Sequence, residues 1–316
     1  MKQTCFVGFD TSNYTTSVAV CDLDGNVLLN AKRLLSVSLG ERGLRQSDAL
    51  FAHVKNLPEL SETLKDAIKD YTVAGVGCST RPRNAEGSYM PCFLAGKNAA
   101  FAFAAGLGLP VQEFSHQEGH LMAAAYSSGH AEQLLTAPFA AFHVSGGTTE
   151  VLYVSPTQEG FSIELLGGTA DLNAGQAIDR IGVLMGLSFP AGKEMEALAK
   201  SYTGELPPLK VSVKEGICNL SGLENLASDL WNKTKDRAYV SRFVFAYLAK
   251  TLAKLTAFID SEYPNVPILY AGGVMSNRFL QSELAKRPST CFAEPAFSSD
   301  NAAGIALLTR RKLLQF

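Results

Sequence analysis

His116 and His120, in His116-Gln117-Glu118-Gly119-His120, are two imidazoles four residues apart in a stretch patterned as helix. At that spacing both rings lie on one face, a turn apart, and both can reach one divalent cation. The chain has only five histidines, so two here is a concentration. In the H-E-x-x-H zinc proteases the general-base Glu stands next to the first His. Here Glu118 comes two residues after it and is expected to point away from the metal face. The motif therefore predicts metal binding without the protease base. Asp300, in Ser298-Ser299-Asp300-Asn301, is the best carboxylate for a third ligand, or else a plain helix cap. His143 ends an apolar strand ahead of Ser145-Gly146-Gly147 and is either a fourth ligand or a core histidine satisfied by a carbonyl. His53 and His130 read as surface or capping residues.

A second chemistry is phosphate binding. A turn that exposes backbone N–H groups and hydroxyls between two strands can cradle phosphate oxygens. Thr11-Ser12-Asn13 and Ser145-Gly146-Gly147-Thr148 both have that composition, although ordinary hairpin turns share it. Gly272-Gly273, between an apolar run and a helix beginning near Asn277, would let a nucleotide approach the backbone closely. Asp179 and Glu196 fall in helical patterns as solvated carboxylates, or as the carboxylates that hold ribose hydroxyls in nucleotide-binding α/β folds.

The elements that must position these residues repeat. Cys5 to Asp10, Ser17 to Cys21 and Asn26 to Leu29 read as strands around a hydroxyl-rich turn. Ala140 to Val144, Glu150 to Val154 and Phe161 to Leu166 repeat that order around a glycine turn. Helices follow each copy: Ser47 to Tyr71, interrupted at Pro58, then Ala174 to Leu187 and Ala191 to Tyr202. Pro264 to Ala271 reads as a buried strand, and Asn277 to Ala285 and Asn301 to Leu314 as helices. Ala99 to Leu109 reads as a buried helix, too short to span a bilayer. A domain boundary is expected near Gly108-Leu109-Pro110, and Ser201 to Leu223 reads as an irregular insertion.

Composition excludes several classes. The hydrophobic fraction is 47% and the net charge −2, so a core is affordable and no global basic field draws nucleic acid. The six cysteines are scattered without a C-x-x-C pair, which argues against a zinc ribbon or disulfide scaffold. With no apparent signal peptide, a cytoplasmic location is expected, and no membrane partner.

Taken in order, the motifs resemble one family. They are Asp10-Thr11-Ser12, His116 to His120, Val144-Ser145-Gly146-Gly147-Thr148-Thr149, Ala174 to Arg180, Leu220-Ser221-Gly222-Leu223, Ala271 to Arg278 and Asp300-Asn301-Ala302-Ala303. This series is similar to the TsaD/YgjD family, once called O-sialoglycoprotein endopeptidases. The resemblance implies an actin-like ATPase (ASKHA) fold: two ribonuclease-H-like lobes with nucleotide and metal in the cleft. It implies lobes of 1–109 plus 296–316 and of 110–295. The implied activity is transfer of threonylcarbamoyl from threonylcarbamoyl-AMP to adenosine in tRNA, or to another acceptor in a divergent member. A nucleotide-binding scaffold without catalysis is the non-enzymatic alternative, and retention of the metal motif counts against it. His116, His120 and Asp300 would hold one iron or zinc ion, with His143 at the position of a family tyrosine ligand. Thr11, Ser12, Ser145, Gly146, Gly147, Asp179, Gly192, Glu196, Gly272, Gly273 and Asn277 would contact ATP or threonylcarbamoyl-AMP. TsaB- and TsaE-like proteins would be partners.

The departures are local. The family's E-T-S-C-D-E-T reads Asp10 to Thr16 here without the acidic pair. Its D-D-A-A-G-E-A reads Asp171 to Ala177, with one Asp and the Glu lost. In its P-E-x-A-S-R-x-H segment the closing His53 survives, but the Glu falls on Ser47 and the Arg on Phe51. The T-x-G-P-G-L loop has become Thr80-Arg81-Pro82-Arg83. These changes touch acceptor- and partner-facing parts.

Overall fold

The computed structural model describes residues 2–12, 14–36 and 44–314; Asn13 of the first turn and Gly43 lie outside them. The chain divides into two compact units. The first comprises Met1–Ser127, Pro156–Ser162 and Ala296–Phe316, and the second Ser128–Ser155 and Ile163–Pro295. The first unit thus runs on to Ser127, past the boundary expected near Pro110. Gly108 does end a helix, in the left-handed conformation, but the strand after it joins the same sheet.

In the first unit, β1 (Gln3–Thr11), β2 (Thr15–Asp22) and β3 (Val27–Leu34) form an antiparallel meander. Then β4 (Tyr71–Arg81) pairs parallel to β1, and β5 (Val111–Ser115) parallel to β4, giving the order β3-β2-β1-β4-β5. The first strand is buried along nearly its whole length because both faces are covered. Val7 and Phe9 join the core under helices α1 (Gln46–Ile68) and α2 (Phe93–Leu107). Between them, Gly8 faces the opposite side, against Ala306 of the C-terminal helix. Pro58 does not interrupt α1, which is continuous from Gln46 to Ile68. It lies on the exposed side, where water can satisfy the carbonyl it frees, while Leu57, Leu60 and Leu64 hold the buried face. Nor is α2 buried all round, since Phe101 and Leu107 on it are exposed.

The second unit repeats the plan. Here β6 (Phe139–Val144), β7 (Thr149–Pro156) and β8 (Phe161–Thr169) form the meander. The central β6 pairs parallel to β11 (Ile268–Ala271), and β11 to β12 (Thr290–Phe292). The order is β12-β11-β6-β7-β8-β10-β9, the first sheet's order plus a short hairpin, β9 (Val213–Lys214) and β10 (Ile217–Cys218). The duplication expected from the sequence is therefore present, and the hairpin falls inside the irregular 201–223 stretch. Helices α5 (Ala174–Leu184), α6 (Gly192–Ser201), α7 (Ser221–Thr234), α8 (Arg237–Glu262) and α9 (Arg278–Leu284) supply the larger core. All six cysteines are buried and unpaired. Among the described residues, no helix is long and apolar enough to cross a membrane.

Candidate functional site

The first site is built where two helices of the first unit meet. Helix α3 (His116–Ser127) follows β5 directly, so His116 opens it at the C-terminal end of the sheet. Helix α11 (Ala303–Leu314) brings Asp300 from the other side. At Gly304 the two come backbone to backbone. A Cβ on Gly304 would stand 1.8 Å from the Gly119 carbonyl oxygen, so only glycine allows this approach. Gly119 thus explains its own place in the histidine motif: it opens the surface that lets α11 come close.

The result is a triangle of ligand atoms. His120 Nε2 lies 2.9 Å from His116 Nε2 and 3.0 Å from Asp300 Oδ1, and the third edge, His116 Nε2 to Asp300 Oδ1, is 3.6 Å. Ligands about 2.1 Å from a common cation stand roughly 3.0–3.4 Å apart in octahedral or tetrahedral arrangement, close to these edges. The donor set, two imidazoles and a carboxylate, suits zinc or iron. His116, His120 and Asp300 form the group of this kind found among the described residues. His143 belongs to the second unit, on β6 opposite Glu150 and Ala271, and is not a member of that group.

Around the triangle, the helix-cap alternative for Asp300 and the surface reading of His53 fail, while the reading of Glu118 holds. Asp300 is not the cap of α11: Asn301 Oδ1 accepts from Ala303 N, which leaves the Asp300 carboxylate for the triangle. Its loop is pinned by Lys32, whose Nζ donates to Ser299 Oγ at 2.7 Å and to the Ala296 carbonyl at 3.1 Å. Glu118 points away from the metal face, as its position in the motif implies. Its Oε2 accepts from the Ser115 amide and hydroxyl, both at 2.8 Å, so it ties down the start of α3. His53 is neither surface nor cap. It is fully buried, with Nδ1 2.8 Å from Thr16 Oγ1, and burial pushes its pKa down. His53 stands four residues from both Ala49 and Leu57 on the buried stripe of α1, so the helical period was the signal available.

Without a metal, the charge of the triangle is set by a proton. Burial disfavours a charged His116, but Asp10 and Asp300 outweigh it and raise its pKa from 6.5 to about 10. Burial raises the Asp300 pKa, but hydrogen bonds from His116 and His120 more than reverse this and hold it well below the ordinary range. A divalent ion held by these residues would take the place of the His116 proton, since a ligand must be deprotonated. The sign for the metal-free protein follows. A histidine pKa raised on folding adds stability that is full below 6.5 and is lost as pH rises through about 10. Melting temperatures of chelated protein should fall across that window, and those of metal-loaded protein should fall less. Parallel profiles would contradict the exchange of proton for metal.

In the second unit three glycine positions come together. Gly175 N donates to the Ser145 carbonyl at 3.1 Å, and a Cβ on Gly175 would stand 2.7 Å from Gly146 backbone atoms. Gly272, at φ 98°, lies so close to β6 that a Cβ would meet the Val144 carbonyl oxygen at 2.3 Å. The Ser145-Gly146-Gly147 turn is therefore seated on the N-terminus of α5, with Gly146 and Gly147 exposed. Ser145 Oγ accepts from Gly147 N and Thr148 N at 3.3 and 3.1 Å, which fixes the turn's shape. Asp179 Oδ1 accepts from Ala191 N at 2.8 Å, just before Gly192, and burial raises its pKa against that bond. Glu196 Oε1 accepts from Arg278 N at 2.7 Å, beside Asn277, whose Oδ1 caps α9 through Leu280 N. These two carboxylates were read as solvated or ribose-binding; each holds a backbone amide with one oxygen.

The first turn is different. Thr11 Oγ1 donates to the Cys92 carbonyl and accepts from Gly96 N, and Ser12 Oγ donates to Asp300 Oδ2 at 2.8 Å. Its described hydroxyls are engaged inside the unit. Sequence reasoning also missed Asp10 as a site residue. An acidic side chain ending a buried strand was the signal available.

Comparison with known proteins agrees with this architecture. HypF from T. kodakarensis aligns over 99% of this chain and 48% of its own, with TM-score 0.64 and 14% identity. Component A of the (R)-2-hydroxyglutaryl-CoA dehydratase of Acidaminococcus fermentans aligns over 98% of this chain and 99% of its own, with TM-score 0.58 and 14% identity. At such identity these likenesses establish the fold alone, the actin-like ATPase (ASKHA) fold with two α/β lobes. Sequence goes further. The tRNA N6-adenosine threonylcarbamoyltransferase of Streptococcus pneumoniae (strain CGSP14) is 31% identical over 298 residues, 90% of this chain and 84% of that protein. The family model described as TsaD, tRNA N6-adenosine threonylcarbamoyltransferase, matches residues 45–307, a span that contains all three triangle residues and the second-unit glycine turns. On that match and that identity, this chain belongs to the TsaD family.

Proposed function

We propose that this protein transfers a threonylcarbamoyl group from threonylcarbamoyl-AMP to the exocyclic amine of an adenosine in tRNA. The observation that carries the reading is the His116, His120 and Asp300 triangle, in a chain of this family. In the reaction the adenosine amine attacks the carbamoyl carbon. The bond from that carbon to the phosphate oxygen breaks, AMP leaves, and the amine gives up a proton. His116, His120 and Asp300 would hold the metal, iron or zinc, which when bound supplies a Lewis acid and template for the donor. Ser145, Gly146 and Gly147 would contact the donor's phosphate through the turn backbone. Asp179, Gly192, Glu196, Gly272, Gly273 and Asn277 would frame its nucleoside. Asp179 fits that role because its second carboxylate oxygen has no protein partner among the described residues and can accept from a ribose hydroxyl. No side chain is assigned as general base, so positioning carries the rate. TsaB- and TsaE-like proteins are the partners this reading requires.

A second acceptor class is favoured by one observation. Arg81 lies in the loop that stands where the family has T-x-G-P-G-L. Its guanidinium is held by Asn84 Oδ1 at 2.9 Å and Thr80 Oγ1 at 3.1 Å, with no carboxylate partner among the described residues. A positioned cation without a counter-charge suits a carboxylate- or phosphate-bearing acceptor.

The test supplies threonylcarbamoyl-AMP, tRNA, this protein and the partner proteins of its own source. Modified adenosine in the digest, absent with His116→Ala, supports the reading. If no modification forms while a conventional family enzyme from the same source modifies the same tRNA, the second acceptor class replaces it. Nucleotide binding has its own check: millimolar AMP should raise the melting temperature of the wild type by mass action, and Asp179→Ala should abolish the rise. An unshifted wild type contradicts the nucleotide assignment.

A further inference from the structure

The turn Thr11-Ser12-Asn13 was expected to cradle phosphate. We propose instead that Asp10, Thr11 and Ser12 form the outer brace of the metal centre, with Asp10 positioning His116 and Ser12 positioning Asp300. The inference rests on the metal reading above.

Asp10 is almost wholly buried at the end of β1. Its Oδ2 lies 2.6 Å from His116 Nδ1, and its Oδ1 accepts from Ser79 Oγ at 2.7 Å. Both oxygens are thus occupied, and the carboxylate cannot rotate. A carboxylate facing Nδ1 accepts the proton there, so the ring is fixed with Nε2 toward the triangle and becomes a stronger donor. Ser79 stands on β4 and Asp10 on β1, adjacent strands of one sheet, so the brace is anchored at the centre of the five-stranded sheet.

Ser12 does the same for the third ligand. Its hydroxyl donates to Asp300 Oδ2 at 2.8 Å, which leaves Oδ1 as the oxygen facing the two imidazoles. Thr11, between them, fastens the turn to α2 through the Cys92 carbonyl and the Gly96 amide. The three side chains are spent in three directions, and an acidic Asp10 beside an incoming phosphate would repel it. Charge also balances. Two carboxylates, two neutral imidazoles and one divalent ion sum to zero, which favours a divalent over a trivalent occupant in a buried site.

The test measures metal affinity and ligand geometry. Zinc affinity is read by competition with a chromophoric chelator, and geometry by the visible absorption of bound cobalt(II). Asp10→Ala should weaken zinc binding by about 10–100-fold and alter the cobalt spectrum. Asp10→Asn, which keeps an acceptor oxygen without the charge, should recover part of both. Ser12→Ala should weaken zinc by about 10-fold and, at saturating metal, leave the AMP-dependent melting shift at its wild-type size. Wild-type affinity and spectrum in Asp10→Ala would overturn the brace. So would a Ser12→Ala protein that keeps its zinc affinity and loses the AMP shift, since that result restores the phosphate cradle. If Asp10→Ala does not fold, Ser79→Ala removes only the outer hydrogen bond. It should weaken zinc severalfold, and unchanged affinity there is equally fatal to the proposal. A wild-type chain that takes up neither ion fails at the metal reading itself, which is a separate result.

Discussion

His120→Ala is expected to bind zinc or iron at least about 100-fold more weakly than the wild type, and the proposed threonylcarbamoyl transfer to fall with it. His120 Nε2 makes both short edges of the triangle, 2.9 Å to His116 and 3.0 Å to Asp300, so its removal leaves two ligands 3.6 Å apart and no third. The effect should exceed that of any substitution in the outer brace, because a ligand atom is lost and not merely its orientation. The fold should persist. Although His120 opens onto a buried helix face, α3 is held by Glu118 at its start and by the Ala123-Ala124-Ala125 run beyond it. Metal content after purification in supplemented medium without chelator, set against circular dichroism, is the measurement. A folded His120→Ala protein with a full complement of metal would remove the triangle from the mechanism.

Gly304→Ala unfolds the first unit or shifts α11 away from α3, and metal affinity falls even though no ligand has changed. The added Cβ would lie 1.8 Å from the Gly119 carbonyl oxygen and 3.0 Å from Ala123 N, both backbone atoms that cannot step aside. Overpacking against side chains costs about 1–3 kcal/mol, and a backbone clash belongs at or above the top of that range. The paired control is Gly119→Ala. There the Cβ meets the Ile305 side chain at 2.9 and 3.2 Å, and Ile305 can turn, so the cost should be about 1 kcal/mol. Urea unfolding of both variants, with zinc affinity in parallel, gives the comparison. Equal stability in the two would mean that the helix contact does not set the distance from His120 to Asp300.

The histidine motif was legible because a four-residue spacing on a helix has only one geometric meaning. The exclusion of a protease base was legible for the same reason: two residues on a helix is about 200° of rotation, and Glu118 does point into the unit. Duplication was legible because strands of period two around hydroxyl or glycine turns occur twice in the same order. The irregular stretch near 201–223 could be placed but not described, since a hairpin of two-residue strands carries no period to detect.

Other features depend on long-range pairing. Asp300 is 180 residues from His120, and its composition alone was equally compatible with a helix cap. Only the Asn301 side chain taking that role resolves the two. Pro58 marks a break in local terms, yet the leucine face of α1 buries enough to carry the helix through it. The end of α2 at Gly108 resembled a domain boundary because a helix stop and a new strand look the same whether or not the strand returns to its own sheet.

By itself the sequence determined the helix that presents both histidines on one face, the repeated strand plan and the family to which they belong, all of which are written in local periods and short motifs. The tertiary structure alone decided what the first turn does. Thr11 and Ser12 have the composition of a phosphate cradle, and nothing local distinguishes a hydroxyl that faces a ligand from one that faces a neighbouring element. Their partners, Cys92, Gly96 and Asp300, lie up to 288 residues away, and a hydrogen bond of that sequence separation exists only once the helices of the first unit have packed on its sheet.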